Sequence, residues 1–108
     1  MADQSPQPKG KVPPQSLDAE MSLLGAVLID EEVLADASEH VGAEDFYDKR
    51  HATIFGAMMR LYERHKPVDL LTLTDELQKK DQLTEVGGSA YLTELTNYVP
   101  TAAHASSY

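Results

Sequence analysis

The chain has no cysteine among its 108 residues. That excludes a disulfide framework, a thiolate metal site and a cysteine nucleophile, and it fits a reducing, cytoplasmic setting. No apolar run reaches the roughly 18–20 residues a membrane-spanning helix needs. The opening stretch, MADQSPQPKGKVPPQ, lacks the apolar segment of a secretory signal. Between Val12 and Asp48 there is neither Lys nor Arg, while ten carboxylates stand there (Asp18, Glu20, Asp30, Glu31, Glu32, Asp36, Glu39, Glu44, Asp45 and Asp48). Contact with many phosphates requires clustered cations to displace counterions, so this half is unsuited to tight DNA binding. Several motifs are missing too: no P-loop G-x-x-x-x-G-K-[ST], no dinucleotide G-x-G-x-x-G, no G-x-S-x-G elbow and no calcium loop. The four histidines, His40, His51, His65 and His104, never approach the i, i+4 pairing of a helical zinc site. The residues thus nominate no catalytic group, no cofactor ligand and no metal ligand.

What is present is helical punctuation. Four of the six prolines fall in Met1–Gln15, which reads as a flexible arm. Ser16 is a suitable N-cap, with Asp18 and Glu20 in the first turn where the helix dipole favours acids. Leu17, Met21, Leu24 and Leu28 follow at helical spacing, widened by Leu23 and Val27. Asp30 opens a short helix over Val33, Leu34 and Ala37 that Gly42 ends. Asp48 caps the strongest segment, where Ile54, Phe55, Met58, Leu61 and Tyr62 form an apolar stripe up to Lys66-Pro67. Val68–Leu73 has the look of a short strand, but Thr72 and Asp75 form a capping-box pattern that favours a helix from Leu73. A further helix is predicted over Ala90–Tyr98, capped by Ser89, and another begins at Thr101. The expectation is an all-α fold: about five short helices on one core, with Leu24, Phe55 and Leu61 buried, and the truncated start of a sixth. The chain stops inside that last element, as a piece of a longer protein would.

Four features invite a functional reading. Gly87-Gly88, at the entrance of a helix, can cradle a phosphate, but with no following lysine and no preceding strand they read as a turn that uses positive φ. His51, near the start of the strongest helix, reads as a core-edge imidazole bonded to backbone. Tyr91 suits either the core or a partner surface, because it combines apolar area with a polar tip. The acidic half, within a formal net charge of −9, is either a solvated face or a docking surface for a basic protein. A non-catalytic protein-binding module is the first functional reading; a small helical enzyme or nucleotide-binding module is the alternative.

Five stretches carry more together than singly: PPQSLDAEMSLLGAVLID (Pro13–Asp30), EDFYDKRHATIF (Glu44–Phe55), PVDLLTLTDEL (Pro67–Leu77), GGSAYLTEL (Gly87–Leu95) and VPTAAHASSY (Val99–Tyr108). In order and spacing they resemble the N-terminal domain of DnaB-type replicative DNA helicases, departing at His104, where members usually carry Asn. The resemblance makes residues 16–100 a globular head and 101–108 the start of a helical hairpin. It implies a parent hexamer that unwinds DNA with ATP and Mg at a separate motor domain. It also implies a collar of helicase subunits, docking of the C-terminal domain of a DnaG-type primase, and engagement by a loader in some members. Asp18 and Tyr91 lie in matching stretches and become the candidate primase-contacting residues, and the glycines become the turn of the head. With only an eight-residue stub of the hairpin, the chain is expected to be a monomer or a weak dimer.

Overall fold

The computed structural model describes residues 17–98. The arm, the cap read at Ser16 and the helix read from Thr101 lie outside the described residues. Five α-helices follow one another: α1 (Leu17–Ile29), α2 (Glu32–Ala37), α3 (Lys49–Glu63), α4 (Leu70–Lys79) and α5 (Gly88–Thr96), with one 3₁₀ turn at Ala43–Asp45 before α3. Among the described residues there is no strand, and no helix is long and apolar enough to cross a membrane. The protein is all-α.

The helices close a cycle. α1 packs on α5 and α3, α3 on α4, and α4 back on α5, while α2 rests against α1. Their apolar stripes meet in one core in which Leu24, Leu34, Ile54, Phe55, Met58, Leu73, Leu77, Leu92 and Leu95 are fully buried and Leu61 nearly so. Phe46 lies against Phe55 with ring centroids 5.0 Å apart, sealing the end where the 3₁₀ turn enters α3. The α1–α5 contact is tight at Gly25. A Cβ built on Gly25 would stand 2.3 Å from the Leu95 carbonyl oxygen, so only glycine lets these two backbones meet.

Caps set the boundaries, and several differ from the sequence reading. Asp48 does cap α3, accepting from the Arg50 N–H at 2.8 Å. α4 starts three residues earlier than read, at Leu70, because the reciprocal box is Asp69 with Thr72 (Thr72 N to Asp69 Oδ1 2.9 Å, Asp69 N to Thr72 Oγ1 2.9 Å), not Thr72 with Asp75. The strand-like run from Val68 is therefore mostly first helical turn. Ser89 is no cap: α5 opens at Gly88 behind a left-handed Gly87. α2 stops at Ala37, well before Gly42, whose extended backbone instead leads into the 3₁₀ turn. The cap position of α2 is Glu31, not Asp30; the Asp30 carboxylate, one residue earlier, accepts from Glu32 N, and Glu31 reaches across the fold to accept from Val68 N at 2.9 Å.

The ends of α3 and α4 share one device. His65 (φ 60°) and Asp81 (φ 61°) adopt the left-handed conformation one residue past the caps Arg64 and Lys80. Lys66 N then bonds Leu61 O and Gln82 N bonds Leu77 O, the six-to-one closure of a Schellman motif. Both positions usually carry glycine, so here two larger residues bear a backbone cost.

Candidate functional site

The α1 stripe that buries Leu24 places Glu20 one turn earlier on the same face, where only 3% of its surface is exposed. An isolated carboxylate there would be costly, and this one is fully engaged. Its Oε2 accepts from Tyr47 N at 2.6 Å, and its Oε1 accepts from Asp48 N at 3.3 Å and from His51 Nδ1 at 2.7 Å. Because the carboxylate accepts, His51 carries its proton on Nδ1. The other ring nitrogen lies 2.6 Å from the Tyr91 hydroxyl, which donates to it when the imidazole is neutral. A side-chain chain, Glu20–His51–Tyr91, thus runs from α1 through α3 to α5.

At its outer end the chain meets solvent. Tyr91 is half-buried, its ring nearly parallel to that of His51 (11°, centroids 5.9 Å apart), and the Arg50 guanidinium carbon sits 4.3 Å from the Tyr91 ring centroid. Such stacking adds a cation–π attraction of about 0.5–1 kcal/mol at exposed positions. Arg50 is held there by a forked pair with Asp48 (Nε to Oδ1 3.3 Å, Nη2 to Oδ2 2.9 Å). The Arg50 hydrogen bonds pull the Asp48 carboxyl below its usual range against a smaller opposing effect of burial, and the Asp48 hydrogen bond raises Arg50 in turn. Burial raises the Tyr91 phenol, and Arg50 partly offsets it. Gly87 completes the setting. Its φ is 105°, and a Cβ there would come within 2.8 Å of Tyr91 Cβ, so the glycine both turns the chain and leaves room for the tyrosine. Gly88, at φ 73°, continues the turn.

Asp18 and Tyr91 project from neighbouring helices but serve different partners. Asp18 accepts from the Tyr98 hydroxyl, a bond that raises the Tyr98 phenol, while Tyr91 belongs to His51 and Arg50. The reading of His51 needs correction: it is 1% exposed and bonded to two side chains, not to backbone. A second buried acid, Glu76 of α4, is clamped between α3 cations, with Arg60 Nε to Oε2 at 2.7 Å and Arg64 Nη2 to Oε1 at 2.8 Å. Arg60 also reaches Gln82 Oε1 at 3.0 Å, tying the loop after α4 to the same cluster.

Sequence reasoning missed Glu20, Arg50 and the Glu76 cluster as members of any site. A signal existed. Glu20 precedes Leu24 by four, His51 precedes Phe55 by four, and Glu76 follows Leu73 by three, so all three polar residues stand in the apolar register of their helices. A charged residue on such a stripe marks a buried network.

The carboxylate–imidazole–hydroxyl order has the sequence of an acid–base relay, but it ends at a phenol covered by Arg50. The cavity beside Glu20, lined by Ala19, Leu23, Val41, Asp45 and Phe46, holds about 110 Å³, and an open groove of about 380 Å³ lies beside Arg50, lined by Lys49, Ala52, Thr53 and Glu85. Among the described residues no group of three or more His, Cys, Asp or Glu could hold a metal ion. The arrangement is built to fix side chains at a surface.

Comparison with known proteins agrees on one family. Residues 12–108 match the family model described as the DnaB-like helicase N terminal domain. The replicative DNA helicase DnaB of Geobacillus stearothermophilus is 50% identical over 98 residues, spanning 91% of this chain and 22% of that protein. DnaB of Rhodothermus marinus is 46% identical over 98 residues, 91% of this chain and 10% of its own length. The crystal structure of the N-terminal domain of DnaB helicase from Mycobacterium tuberculosis superposes with a TM-score of 0.78 at 40% identity, covering 90% of this chain and 70% of that one. The chain therefore spans about a fifth or less of the curated helicases it resembles, 22% and 10% in these two. From the closed helical cycle, the Gly87 turn and these matches together, the chain belongs to the DnaB-like helicase N-terminal domain family.

Proposed function

We propose that this domain is a non-catalytic docking and assembly module of a replicative helicase. It supports the collar of the parent hexamer and receives the C-terminal domain of a DnaG-type primase on the face formed by Tyr91, Arg50 and Asp18. The relatives named above are replicative DNA helicases, and this chain matches them only at the N-terminal domain. Unwinding, with its ATP and Mg, is therefore assigned to the parent's remaining length, and a loader protein is a further partner of the same assembly.

The observation that carries the reading is the Arg50–Tyr91 pair. An arginine stacked on a half-buried tyrosine, held from behind by a buried network, has the composition and rigidity of an interface anchor. The neighbouring stretch from α1 into α2 carries acids and no bases, which suits a partner presenting positive charge. Titration calorimetry of the chain with the cognate primase C-terminal domain tests it. Tyr91→Ala should weaken binding by about tenfold or more, as truncating an interface anchor does, with the helical circular dichroism unchanged. Equal affinities for wild type and Tyr91→Ala would remove the site from this face.

A further inference from the structure

Glu20 has no exposure of consequence, so it touches no partner, yet its bonds lead to Tyr47, Arg50 and Tyr91 on that face. Its Oε2 holds the N–H of Tyr47, whose side chain is 60% exposed. Its Oε1 holds the N–H of Asp48, the residue that both caps α3 and grips Arg50. Through His51 the same oxygen fixes the Tyr91 hydroxyl. The three surface groups come from two separate parts of the sequence, and one carboxylate from α1 aligns them. The chemistry asks for an acid here: only an ionised carboxylate accepts two backbone N–H groups and an imidazole N–H at once.

We propose that Glu20 and His51 are positioning residues that pre-order Tyr47, Arg50 and Tyr91 as one recognition surface. The proposal rests on the docking reading above for its partner, a primase C-terminal domain. Pre-ordering matters because an anchor that must be immobilised on binding loses part of its interaction free energy to ordering. An isosteric glutamine at position 20 keeps the volume but replaces one acceptor oxygen by an amide that donates, so it opposes either His51 Nδ1–H or a backbone N–H. The surface residues all remain while their alignment is lost.

The experiment compares Glu20→Gln, Tyr91→Phe and Glu76→Gln in this chain by NMR and by calorimetry with the primase C-terminal domain. Glu76→Gln serves as the control, because it breaks a buried charge cluster between α3 and α4 away from this face. NOEs between the His51 and Tyr91 rings report positioning without a partner. Glu20→Gln should lose them and bind about tenfold more weakly, whereas Glu76→Gln should keep both the NOEs and the affinity even though it melts earlier. Tyr91→Phe, which removes only the hydroxyl and guards against a Glu20 variant that fails to fold, should lose the ring NOEs and bind several-fold more weakly. Wild-type NOEs and affinity in either Glu20→Gln or Tyr91→Phe would overturn the proposal, as would equal weakening in Glu76→Gln. Lost NOEs with unchanged affinity in all variants, Tyr91→Ala included, would sustain the positioning role and sink the docking reading instead.

Discussion

At the scale of single residues, this fold depends on where it places charge. Glu20 and Glu76 are both almost fully buried, and both are matched by donors from another helix. Removing one partner of such a set leaves an uncompensated buried charge, which costs more than the intact arrangement contributes. For Glu76 the sign of the pH dependence follows directly. The Arg60 hydrogen bond, helped by Arg64 and opposed by burial, holds its carboxyl below the usual glutamate range. A group with a depressed folded pKa contributes stability that is present above its unfolded value of about 4.3 and is lost as pH falls through the folded value. The thermal midpoint of the wild-type chain should therefore drop more steeply between about pH 5 and pH 3 than that of Glu76→Gln. Parallel acid limbs for the two proteins would show that Glu76 is not depressed in the folded state. Neither acid was legible as buried in the sequence, because first-turn acids are common for reasons of helix dipole alone and Glu20 satisfied that explanation. Their register with Leu24 and Leu73 was the only mark of their true environment.

At the scale of elements, the helices themselves were largely legible. Leu24, Val27 and Leu28 in α1 and Ile54, Phe55, Met58 and Leu61 in α3 repeat as a core-facing stripe must, and all are buried. Boundaries were less so. The start of α4 was misplaced because Val68–Leu73 alternates poorly between helix and strand patterns, and because Thr72 fits a capping box as either its first or its last member. Only tertiary structure distinguishes those two roles. How helices pair was not legible at all, and Gly25 shows why: a glycine inside a helix reads as a weakness until Leu95 is placed opposite it. Two alanine substitutions separate these meanings. Gly25→Ala should destabilise by about 1–2 kcal/mol, since overpacking against a backbone carbonyl outweighs the gain in helix propensity. Gly56→Ala, in α3 with nothing beyond its own helix backbone within 4 Å of the new Cβ, should instead stabilise by about 0.5–1 kcal/mol. Chemical denaturation of the two variants checks the pair. Stabilisation by both would mean that α1 and α5 are not in backbone contact.

At the scale of the whole molecule, five short helices close one core, and among the described residues a buried polar network reaches the surface beside an aromatic–cation pair at the Arg50–Tyr91 face. Exposed ion pairs such as Lys79–Asp75 contribute little, and Ile29 and Leu71 stand exposed away from this face. The chain's net charge of −9 and its cation-free stretch to Asp48 favour a protein partner over a nucleic acid. The family was legible from five short stretches, and the collective match succeeded where no single motif did. The surface was not, because Tyr47, Arg50 and Tyr91 converge only after α1, α3 and α5 have packed. Chemical-shift mapping of the labelled chain during titration with the primase C-terminal domain tests the central claim most directly. The account predicts perturbations concentrated at Asp18, Tyr47–His51, Gly87–Tyr91 and Tyr98. Perturbations centred on the Arg60–Arg64–Glu76 side of α3 and α4, or none at saturating partner, would contradict it.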